Sequence, residues 1–82
     1  MTMEKTYKIT AVIENRIAVL NKITSAFLKR HVNIESLNTE KTTPEAITIT
    51  IMAHVPQETM QRLAAQLGSM WDVISITCKE EK

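Results

Sequence analysis

Two histidines, one cysteine, nine acidic residues and a single glycine are the raw material for chemistry in this chain, and their spacing builds no reactive centre. His31 and His54 stand 23 positions apart with no Cys or carboxylate at metal-ligand spacing, so no metal site is expected and both read as surface residues. Glu35 and Ser36 are neighbours in a predicted strand and face opposite sides, which removes them as a catalytic pair. With Gly68 as the only glycine, a phosphate cradle is excluded. Cys78 reads as a strand residue rather than a nucleophile, and a lone cysteine fits a reducing, cytoplasmic setting. The polar residues with most to offer stand at the ends of predicted elements. Asn15 precedes a helix and fits either an N-cap or contact with a ligand at the helix N-terminus, where unpaired N–H groups and the positive dipole end receive a carboxylate. Arg16, in the same turn, is placed to steer a carboxylate, to grip an acidic patch on a partner, or merely to be solvated. Asn33 opens a strand, where asparagine is depleted, and fits a ligand or interface contact or a local turn hydrogen bond. Ile17, Ala18 and Val19 serve equally as helix-entry packing or pocket wall.

The elements that must hold these residues follow from hydrophobic period. Tyr7, Ile9, Ala11 and Ile13 alternate with polar neighbours, broken by Val12, and predict a strand over Tyr7 to Glu14. Leu20, Ile23 and Phe27 recur at helical spacing, widened by Val19, Ala26 and Leu28, and predict a helix over Ile17 to Arg30 whose last turn carries Lys29, Arg30 and His31. Val32 and Ile34 on one side, Glu35 and Leu37 on the other, begin a second strand that runs through Thr39, Thr42 and Thr43 to a turn at Pro44. Ile47, Ile49, Ile51 and Ala53 alternate strictly with Thr48, Thr50, Met52 and His54, a third strand forming a hairpin with the second. Pro56 opens a second helix bearing Met60, Leu63, Ala64 and Leu67, which Gly68 stops. Met70 and Trp71 are expected to close the core. A last strand spans Trp71 to Cys78, and the charged Lys79 to Lys82 tail reads as frayed.

The order strand, helix, strand, strand, helix, strand is that of a split βαβ unit. It predicts an α+β, ferredoxin-like βαββαβ sandwich, with a four-stranded antiparallel sheet and two helices on one face. The 82 residues make one domain over 1–82, with its core at about 7–78, too small for a second hydrophobic interior. A domain of this size is marginally stable alone, and an uncovered edge strand offers unpaired N–H and C=O groups, so a homodimer is expected. Ten basic residues against nine acidic give a formal charge of +1, with three aromatic residues in all. Such a balance does not suit nucleic acid, and no apolar run is long enough for a signal peptide or a membrane span.

Two phrases carry family information. Ile13-Glu14-Asn15-Arg16-Ile17-Ala18-Val19-Leu20 and His31-Val32-Asn33-Ile34-Glu35-Ser36-Leu37 resemble an ACT domain, and more narrowly the N-terminal ACT domain of the small regulatory subunit of acetolactate synthase (acetohydroxyacid synthase, AHAS). The Trp71-Asp72-Val73-Ile74-Ser75-Ile76 phrase extends the likeness over about residues 7 to 78. The resemblance implies a non-catalytic, cofactor-free partner that activates the large catalytic subunit and senses valine or another branched-chain amino acid. It implies an effector held between the first strand-to-helix turn of one protomer and the second-strand region of its mate, at Asn15, Arg16, Ile17, Ala18, Val19 and Asn33. Two positions depart from the pattern. Ala18 stands where the family has a turn glycine, adding a methyl where close approach and positive φ are otherwise free, and His31 stands where glycine is frequent before the second strand. Many of these subunits carry a second domain, so the chain is either a single-domain type or a piece of a longer one. A stand-alone sensor for another enzyme or regulator, and a dimerisation module with a closed pocket, fit the same residues.

Overall fold

In chain order the elements are β1 (Glu4–Glu14), α1 (Ile17–Lys29), β2 (Ile34–Thr43), β3 (Ala46–Pro56), α2 (Gln57–Gly68) and β4 (Val73–Glu81), in a computed structural model that describes residues 4–81. The sheet order is β2-β3-β1-β4 and every neighbouring pair is antiparallel. Each helix therefore connects two strands that run the same way with one strand between them, as the split βαβ pattern requires. The alternation of β1 sends Tyr7, Ile9, Ala11 and Ile13 inward, and that of β3 does the same for Ile49, Ile51, Ala53 and Val55. Val19, Ile23, Ala26 and Phe27 of α1 and Met60, Leu63 and Leu67 of α2 complete one contiguous core with them. Burying each of the Val, Leu, Ile, Phe and Met side chains among them contributes about 1.5–3 kcal/mol against the entropy of ordering the chain. The opposite face carries no helix and is polar: Asn38, Thr50, Thr10 and Thr77 form one row across all four strands.

The ends and irregularities differ from what periodicity predicts. β4 continues through Lys79, Glu80 and Glu81, which pair with Lys8, Tyr7 and Thr6 of β1. The Lys5 ammonium bonds Glu80 at 3.3 Å, so the tail is ordered to Glu81 by a long first strand and by cross-strand charge. In β2 a bulge at Glu35 lets Ile34 face Ala53 and Leu37 face Ile51. Ile34 and Leu37 thus share the inner side although they are an odd number of residues apart. Leu28 and Trp71, both expected in the core, are 72% and 75% exposed. The helical stripe turns Leu28 away from the sheet, and Met70 alone, half-buried, closes the end of the core. Gly68 is the last helical residue and has no positive φ; the stop comes from Ser69, whose hydroxyl donates to the Gln66 carbonyl at 2.7 Å.

α1 ends in a left-handed cap. The amide of His31 donates to the Leu28 carbonyl at 3.0 Å and that of Val32 to the Phe27 carbonyl at 3.0 Å, the paired bonds of a Schellman motif, closed by contact between the buried Val32 and Phe27. His31 occupies the position where glycine is usual, and among the described residues it is the only non-glycine with positive φ, at 57°. A side chain there costs about 1–2 kcal/mol, partly offset because glycine loses more freedom on folding. His31→Gly is expected to stabilise the fold by about 0.5–1 kcal/mol, seen as a higher urea midpoint at unchanged slope.

Candidate functional site

The turn between β1 and α1 is held from two sides. Asn15 is not the N-cap: its amide donates to the Glu45 carbonyl at 2.9 Å and its Nδ2 to the Pro44 carbonyl at 3.1 Å, so it fastens the turn to the tip of the β2–β3 hairpin. Arg16 is the N-cap residue, in extended backbone, with no side-chain capping bond. The first turn of α1 also lacks an acidic residue, so its free N–H groups and the positive end of its dipole are left for an external acceptor. On the other side, the Glu14 amide donates to the Asp72 carbonyl at 3.2 Å, tying the turn to the connection between α2 and β4.

That connection carries a buried charge. Asp72 is 1% exposed and accepts a 2.8 Å hydrogen bond at Oδ2 from the Lys22 ammonium; the Arg16 guanidinium lies 3.9 Å from the same oxygen and 3.1 Å from Glu14. Arg16 and Lys22 also lie 5.4 Å and 5.7 Å from the centroid of the Trp71 ring, within range of attraction by its face. The Lys22 hydrogen bond, with help from the positive charge of Lys22 and Arg16, outweighs desolvation and holds the Asp72 carboxyl below its ordinary value.

Four of the six residues singled out from sequence, Asn15, Arg16, Ile17 and Ala18, stand together and exposed at this turn. Val19 is fully buried and supports the turn from the core. Ala18 lies within the helix without positive φ, so the backbone there does not require glycine; its methyl borders a groove between α1 and α2. Asn33 is exposed at the far end of the domain. Glu14 pairs with Ala46 and Ile34 with Ala53, a separation along β3 of about 23 Å at strand rise. It borders a second depression of about 480 Å³ with His31, Arg30 and His54. Sequence reasoning missed Asp72, Lys22 and Glu45. Asp72 was visible only as an acidic residue in an otherwise apolar phrase, and Glu45 acts through its backbone carbonyl, which no side-chain pattern reports. No group of residues able to hold a metal ion occurs among the described residues, and no described helix is long and apolar enough to cross a membrane.

Comparison with known proteins bears on the same stretch. Residues 9–75 match the model of the AHAS small subunit-like ACT domain. The chain is similar to the acetolactate synthase small subunit of Bacillus subtilis (strain 168), 41% identical over 71 residues that cover 84% of this chain and 41% of that protein. It therefore spans about two fifths of that relative's length. Among solved structures, the acetolactate synthase small subunit from Thermotoga maritima superposes with a TM-score of 0.77 at 21% identity, over 90% of this chain and 47% of its own. The ACT domain from the GTP pyrophosphokinase of Chlorobium tepidum superposes with 0.80 at 19% identity, over 94% and 100%. At these identities the two structures bear on the fold.

The lowered Asp72 carboxyl links folding to acid. A depressed carboxyl contributes stability that is present above its unfolded value, about 3.9, and is lost as pH falls through the lower folded value. Asp72→Asn is expected to lower the melting temperature at about pH 7 and to shrink the loss of melting temperature on acidification to about pH 3. Thermal scans of parent and variant across that range check it.

Proposed function

Because the chain belongs to the AHAS small subunit-like ACT domain family, we propose that it is a non-catalytic regulatory partner of acetolactate synthase. In this reading it activates the catalytic subunit, works in the cytoplasm, and senses a branched-chain amino acid such as valine. The observation that carries the sensing role is the uncapped α1 N-terminus beside Arg16 and Asn15. Its amides suit an amino-acid carboxylate, and the exposed Ile17 and Ala18 beside them suit a small apolar side chain.

The second half of the site comes from a second copy. β2 is an edge strand with one neighbour, and its backbone is open to pairing. If two β2 strands pair antiparallel about a two-fold axis, the start of one, at Asn33, meets the end of the other, at Thr43 and Pro44. Pro44 is the residue whose carbonyl holds Asn15. The 23 Å that separate Asn15 and Asn33 within a protomer thus close between protomers, at strand rise, and two equivalent sites form per dimer. An effector bound across this junction favours the dimer geometry that holds both halves, and it shifts the catalytic subunit only if that geometry and the docked state differ in affinity for it.

The test is the acetolactate-forming rate of the catalytic subunit from the same organism, alone and with the chain added, each with and without valine. The rate is expected to rise on addition and to fall back with valine. Asn33→Ala, exposed and outside the core, is expected to keep the activation and lose at least about tenfold in valine affinity, the worth of one lost charge-assisted hydrogen bond. An unchanged rate at saturating chain would remove the assignment to this enzyme. Activation with no valine response would leave the partner role and remove the effector.

A further inference from the structure

From Asn15 to Ile34 the chain carries four Lys and Arg residues and no Asp or Glu, so α1 is a cationic helix in a nearly neutral domain. Its outward face also carries two large apolar side chains among polar ones. Helical spacing sets Ile17 and Leu28 along one line of that face and Lys22 and Lys29 along another, with the small Ala18 and Ser25 between them. Ile17 is 80% exposed and Leu28 72%. The two lysines rim a groove of about 390 Å³ whose far wall is Gln66 and Met70 of the α2 side. Trp71 follows Met70 in the chain, 75% exposed, with Lys22 and Arg16 against its ring. Three of the five large exposed hydrophobic residues among the described residues thus lie on or beside this one helix. Asn21 and Thr24 separate Ile17 from Leu28 on this face, and Trp71 supplies the large apolar surface at its end; tryptophan and arginine are the residues that most often anchor an interaction site.

We infer that the outer face of α1, with Trp71 at its end, is the surface that docks on the catalytic subunit, and that it receives an acidic segment carrying apolar side chains. The inference rests on the regulatory-partner reading above and names the surface that reading leaves open. Charge complementarity selects the occupant: Lys29, which pairs with no carboxylate among the described residues, steers and registers carboxylates. Lys22 and Arg16 stay on Asp72 and Glu14, and Leu28, Ile17 and Trp71 accept apolar side chains laid across the small residues. A second copy is a poor occupant, because an isologous contact would set one cationic helix against another. Arg16 belongs both to the effector turn and to the Trp71 stack, so a ligand that draws its guanidinium alters the edge of the docking surface. The coupling between sites thus has a physical path one side chain long.

The experiment measures binding of the full chain to the purified catalytic subunit by interferometry at two salt concentrations, for the parent, Leu28→Ala, Lys29→Glu and Trp71→Ala. Leu28 and Lys29 lie eleven and twelve residues from Ile17, about 16–18 Å along the helix, so their replacement leaves the effector turn intact. Melting curves and light scattering check that each variant folds and keeps the parent's oligomeric state. Trp71→Ala and Leu28→Ala are expected to weaken binding by about tenfold or more, mostly through faster dissociation. Lys29→Glu is expected to slow association and flatten its salt dependence. Folded variants that all bind within about twofold of the parent would overturn the docking surface while leaving the regulatory reading standing. A parent chain that does not bind would overturn both. Variants that change the oligomeric state instead would assign this face to contact between copies of the chain.

Discussion

The first strand is the constraint on which everything else hangs. β1 is hydrogen-bonded on both sides, to β3 and to β4, and gives four inward side chains to the core, Tyr7, Ile9, Ala11 and Ile13. With both backbone edges occupied and one face buried, its register cannot slip without turning that whole set outward. The position of its last residue is therefore fixed, and with it the turn that follows. Asn15 and Glu14 then clamp this turn to the hairpin tip and to the α2–β4 connection through backbone carbonyls. The geometry of the turn is therefore set by the packed sheet.

A second layer of order comes from one buried carboxylate. Asp72 is almost wholly covered, and a buried charge is tolerable only when paired and hydrogen-bonded. Lys22 meets that need at Oδ2 from the first half of α1, and Arg16 approaches the same oxygen from the turn, while Oδ1 has no hydrogen-bond partner among the described residues. The same two cations hold the exposed Trp71 ring. One cluster therefore joins the helix entry, the middle of α1 and the end of α2. The side chains of the helix N-terminus and of the outer face of α1 thereby belong to one contact cluster.

Much of the fold was legible from alternation and helical spacing. The strict Ile/Thr alternation of β3 and the Met60, Leu63 and Leu67 stripe of α2 each report burial directly, because period and face are linked by backbone geometry. Legibility failed where two elements share a task. The bulge at Glu35 inverts the apparent parity of Ile34 and Leu37, and a pattern of single residues does not contain the partner strand that causes it. Trp71 looked like core by type, yet its place after α2 turns it outward. The charged tail read as frayed by composition, yet Lys79 to Glu81 pair because β1 begins early enough to accept them, and Lys82 lies outside the described residues. The candidate site residues were legible only as residue types: Asn15, Arg16 and Asn33 stand out as polar groups at element ends. Their separation to opposite ends of the domain did not.

What the sequence by itself determined is the order and type of the elements, the inner faces of β1, β3 and both helices, and membership of the family whose phrases surround Asn15 and Asn33. These are local or near-local properties, encoded in the spacing of a few neighbouring side chains. Only the tertiary structure decided that Asn15 braces the hairpin rather than capping its helix, that the α1 N-terminus is left open, and that Asp72 joins Lys22 from fifty residues away. Each of these depends on a carbonyl or an ammonium brought close by chain folding, and such proximity is a property of the packed sheet and helices together.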